Sequence, residues 1–189
     1  MNNNYQDREE RKVVSAVKNY NGARGLLIAI AALTVVNIFL YLSNADMEFI
    51  FSSAIASYLM LLGVLYTGKL PPEYYEGVSL EFLPDSFLHT LTAVAAVIAI
   101  LYLVCWIGSA KGRYGFMIAG AVLFIVDTLF MFGIYGFDLS MIANIVFHLI
   151  GCAYLVHGII CGVRIEKYKA RRRMLDAMAE MNPQQENPQ

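Results

Sequence analysis

The sequence predicts an all-α, polytopic integral membrane helix bundle, and three observations predict it. Five apolar runs, residues 25–42, 49–67, 87–108, 116–134 and 141–163, continue without polar alternation, and about 20 such residues cross a hydrocarbon core about 30 Å thick. Hydrophobic residues make up 58% of the chain and charged ones 15%, where a soluble domain carries about 25% charged. The charges gather in the connections and at the ends, with Asp127 the exception inside a run.

The same composition narrows the partners. A formal net charge of −1 is not the strong basic excess that marks nucleic-acid binding. Cys105, Cys152 and Cys161 all sit inside apolar runs with no CxxC pair, which reads as packing and not as a disulfide framework. No P-loop, GxGxxG, HExxH or GxSxG pattern occurs, so no cofactor is expected and no catalytic residue is assigned. The nature of any metal is left open.

Residues 1–24 are polar. Glu9, Arg11, Lys12, Val13, Val14, Val17 and Lys18 suggest a short amphipathic helix on the membrane surface, with Asn21-Gly22 as its break. Residues 25–42 form the first span and place Thr34 and Asn37 on one face. This run is longer than a signal-peptide core, although Ser43-Asn44-Ala45 is similar to a small-residue cleavage site. The run 49–67 opens on Ser52-Ser53, small hydroxyl residues that suit a bend or close helix approach. Residues 68–86 hold Pro71, Pro72 and Pro84, which end helices, and Asp85 or Ser86 is the expected cap of the next one. Tyr102 and Trp106 fall near the far end of the run 87–108. The turn 135–140 joins the last two runs. Residues 164–189 form a basic stretch and then a tail expected to be disordered.

Counting Lys and Arg in the connections decides the orientation. Five plain crossings split the basic residues nearly evenly, with the N-terminus outside as the better case. If the run 49–67 re-enters as a bent hairpin, or lies in the bundle without crossing, thirteen of the fourteen fall on one side and Lys69 alone on the other. That count favours a cell-membrane protein with both termini cytoplasmic and a bend at Ser52-Ser53.

An ionisable residue at membrane depth marks a functional site by default. Asp127 lies about 10 Å from the 135–140 turn and His148 about 12 Å, at about 1.5 Å of rise per residue. Helices joined by a short turn lie side by side, so the two side chains are level. Asn144, His148, Gly151, Leu155, Gly158 and Gly162 form one stripe, opposite Gly120, Phe124, Asp127 and Met131. Gly158 and Gly162 make a GxxxG pair. With both termini inside, Asn37, His89, Asp127, Asn144 and His148 converge on one outward-opening polar pocket. His157 falls on the opposite face.

The segments FIFSSAIASYL (residues 49–59), Val126-Asp127-Thr128 and IVFH (residues 145–148) resemble a group of small polytopic membrane proteins of Gram-positive bacteria. That group has proline where this chain has Ala56. The resemblance implies no activity; it draws attention to Asp127 and His148.

A buried acid and imidazole titrate as a unit. They suit a transporter-like or proton-coupled protein that handles a small polar solute, a proton or a cation within the lipid bilayer. A structural or partner-binding membrane subunit, with the pair as interhelical glue, is the alternative. An intramembrane enzyme is the third.

Overall fold

A computed structural model describes residues 3–45, 47–77, 79–136 and 141–181. The expected tail 182–189 and most of the 135–140 turn lie outside the described residues. The architecture is all-helical: α1 (Asn3–Leu42), α2 (Ala54–Tyr66), α3 (Asp85–Gly108), α4 (Tyr114–Tyr135) and α5 (Ile142–Met181). Four of these, α1, α3, α4 and α5, are long and apolar enough to cross a membrane. The fifth, α2, has 13 residues and rises about 20 Å.

Three boundaries differ from the sequence expectation. The leader does not break at Asn21-Gly22, because α1 is one helix of 40 residues. A helical glycine costs only about 1 kcal/mol, and here Gly22 packs against Tyr154 of α5 where a larger side chain would collide. Likewise α5 runs straight on from its apolar part into the basic stretch. Neither Asp85 nor Ser86 caps α3: its N-cap is Pro84, with no side-chain hydrogen bond. Asp85 instead pairs with Lys69 at 3.0 Å.

The ends of the bundle are distinct. At one end, Arg172 of α5 reaches Glu10 of α1 at 3.0 Å. The Tyr20 hydroxyl donates to the Ser109 carbonyl at 2.8 Å, and Arg24 donates to Ser109 Oγ at 3.1 Å. The N-terminal part of α1, the C-terminal part of α5 and the α3–α4 connection therefore share this end, the terminal end of the bundle. At the far end, Tyr41 and Asn44 line one groove with Leu65, Leu70 and Tyr74. The connection bearing Lys69 is at that far end.

Small residues close the terminal half. Gly158 faces Ala23, and Gly162 faces Tyr20 and Tyr114. The core there is built from Ala16, Tyr20, Ala23, Leu27, Leu155 and Cys161. Outward, Val97, Ile100, Val122, Leu129, Phe147 and Ile150 are exposed. So broad an apolar surface belongs against lipid and not water.

Candidate functional site

The site begins with a break in the helical chain. After the turn that follows α1, residues 49–53 carry no helix, so their backbone groups need other partners. The side chains of α1 supply them. Asn37 accepts from the Phe49 N–H at 2.8 Å, donates to the Phe49 carbonyl at 2.9 Å and donates to Ser52 Oγ at 2.7 Å. Thr34 Oγ1 accepts from the Ser53 N–H at 2.9 Å. Phe51 turns the chain at φ 83°, a left-handed conformation that costs a non-glycine residue about 1–3 kcal/mol. Its ring is held by Phe124, at 6.3 Å between centroids, and by Phe147, at 5.7 Å.

Asp127 completes the start of α2 from across the bundle. Its carboxylate accepts from Ser53 Oγ at 2.6 Å, from the Ala54 N–H at 2.9 Å and from the Ile55 N–H at 3.0 Å. Free N–H groups and the positive end of the dipole make a helix N-terminus an anion site. Here the anion is a side chain of α4. Three donors and no acceptor face it, an arrangement made for the ionised carboxylate. The residue is 1% exposed.

His148 stands on the other side of Asp127, with Nδ1 4.0 Å from Oδ2. It is also 1% exposed, and its ring stacks on Phe124 at 4.9 Å. The hydrogen-bond partners favour one tautomer. Thr128 Oγ1 lies 3.2 Å from Nδ1, but its one proton goes to the Phe124 carbonyl at 2.8 Å. With that proton on the carbonyl, the hydroxyl accepts from the imidazole and Nδ1 is assigned the hydrogen. In the neutral ring Nε2 is then a bare acceptor. Nε2 is buried with no hydrogen-bond partner among the described residues.

The sequence-predicted residues divide. Asn37, Asp127 and His148 belong to one connected region, linked through Ser52, Ser53 and Thr128. Asn144 lies one turn before His148 on α5, its Oδ1 buried and without a hydrogen-bond partner among the described residues. His89 does not join them: it is exposed on the first turns of α3. His157 is exposed too, and its Nε2 lies 3.3 Å from Asn19 Nδ2.

Two members escaped sequence reasoning. Tyr102 is fully buried beside Phe124, and its hydroxyl has no partner among the described residues. The spacing of Ala95, Ala99, Tyr102 and Ser109, all buried, is the helical signal that finds it. Thr128 is adjacent to Asp127 in sequence, yet its role depends on α5.

Among the described residues no three His, Cys, Asp or Glu side chains gather to hold a metal. The Ser53 hydroxyl donates to Asp127, and the Ser52 hydroxyl accepts from Asn37. Comparison with family models, with curated proteins and with solved structures finds no match for this chain. The geometry alone therefore carries the functional argument. Chemically, it offers one buried imidazole, with Nε2 unpartnered among the described residues, beside a carboxyl group held by three donors.

Proposed function

We propose that this integral membrane protein is transporter-like or proton-coupled, and that His148 is its working group. The observation that carries this reading is the bare, buried Nε2 of an imidazole whose other nitrogen is 4.0 Å from Asp127. An unsatisfied buried polar atom costs about 1–3 kcal/mol. A proton, a cation or the donor group of a small polar solute would satisfy it, and Asp127 would balance the charge gained.

The same reading makes 49–67 a re-entrant segment of a cell-membrane protein with both termini cytoplasmic. Three features support it. The α2 helix is shorter than the bilayer core, its N-terminus is met by α1 and α4 at the level of Thr34 and Asp127, and the basic connections gather at the terminal end. Broken helices whose ends meet at membrane depth are how many transporters build a site.

One observation favours a second reading, a structural or partner-binding subunit. Both Asp127 oxygens are already occupied by Ser53, Ala54 and Ile55. The experiment that separates the two is complementation of a strain lacking the gene by His148→Gln, with insertion and folding checked in parallel. A variant that folds and fails supports the His148 site. A variant that folds and complements fully leaves the subunit reading.

A further inference from the structure

We infer that a groove between the N-terminal part of α1 and the C-terminal part of α5 binds the headgroup of an anionic phospholipid. This site is separate from His148 and stands on different residues.

The groove measures about 360 Å³, and Lys12, Arg164, Lys167 and Arg171 line it together with Glu9. Its floor changes character along α5. Ile160 and Val163 are apolar, and the basic residues begin one position later at Arg164. A lipid offers the matching sequence of parts, an acyl chain beside Ile160 and a phosphate beside the cations. A free anion would use only the second.

The cations of α5 are sorted by face. Lys169 is paired with Glu166 at 3.3 Å, and Arg172 with Glu10 at 3.0 Å; neither lines the groove. Arg164, Lys167 and Arg171 lie at helical spacing on one stripe, and none has a carboxylate within ion-pairing distance among the described residues. On α1, Lys12 is held by Glu9 at 2.8 Å. Four cations therefore face one acid, an excess that an anionic headgroup would neutralise. Basic residues at a membrane surface each favour an anionic lipid by a roughly similar amount.

The test uses the full-length protein in nanodiscs of phosphatidylcholine doped with phosphatidylglycerol, with retained lipid read by native mass spectrometry. Replacing two cations, Arg164→Gln with Arg171→Gln, is expected to weaken phosphatidylglycerol retention about 30-fold. Lys12→Gln, on the other helix, is expected to weaken it about five-fold. Glu9→Gln should strengthen it. Arg11→Gln with Lys18→Gln removes as much charge outside the groove and should leave retention unchanged. If the α5 double variant does not insert, Lys167→Gln replaces it, with about a five-fold loss expected. Equal losses from the groove and the off-groove pairs would overturn the inference. So would equal retention of phosphatidylcholine, or displacement of the lipid by inorganic phosphate.

Discussion

The two halves of the bundle differ in what their polar contacts hold: at the terminal end they tie intact helices together, and in the far half they satisfy a broken chain. In the terminal half, helices touch through small residues, with Gly158 against Ala23 and Gly162 against Tyr20. In the far half, an unwound stretch and a short helix are held by Asn37, Thr34 and Asp127. Close packing needs no particular chemistry and makes a continuous wall. Hydrogen bonds to a broken chain need specific side chains, and they bring polar groups to membrane depth. The site lies in the half where hydrogen bonds satisfy a broken chain.

Removing Asp127 should break that half most severely. Asp127→Ala leaves the Ala54 and Ile55 N–H groups buried without a partner, and breaking such a buried charged contact costs about 3–5 kcal/mol. Unfolding in detergent should report that loss, and hydrogen exchange should show the first turn of α2 unprotected while the α1–α5 seam stays protected.

Asn37→Ala and Gly158→Leu form an opposed pair of intermediate size. The first orphans the Phe49 N–H and should cost about 1–3 kcal/mol, with exchange rising over residues 49–53 alone. The second drives a side chain into Ala23 and should cost about 1–3 kcal/mol by overpacking. Its exchange signature should appear in α1 and α5 and spare α2. Coincident patterns from the two variants would mean that the halves are not separate.

His148→Gln should have the smallest effect on stability. Interhelical polar contacts in membranes average about 0.6 kcal/mol, and Thr128 keeps its bond to the Phe124 carbonyl without the imidazole. Thermal unfolding should shift little while function is lost. A large stability loss would make His148 part of the far-half scaffold.

Much of this division is legible in the sequence because it rests on periodicity and chain length. The 135–140 turn is too short to let Asp127 and His148 drift out of level. The stripe from Asn144 to Gly162 needs only helical spacing, and the lone Lys69 connection exposes the odd segment 49–67. What escapes notice depends on partners distant in sequence. Asp127 caps a helix whose first residue is 73 positions earlier, and no local cap motif announces that. Asn21-Gly22 reads as a break until Tyr154 covers Gly22. His89 enters the predicted pocket on depth alone, and depth does not specify which way a helix face points.

The proposed site requires that α2 enter and leave the membrane at the same surface. With Cys105, Cys152 and Cys161 replaced by alanine, single cysteines at Asn44, Leu70 and Arg113 can be labelled with an impermeant maleimide in sealed, oriented vesicles. Labelling of Asn44 and Leu70 from one face, and of Arg113 from the other, is the predicted result. Labelling of Asn44 from the face that labels Arg113, with Leu70 labelled from the other, would make α2 a full crossing and contradict a re-entrant α2.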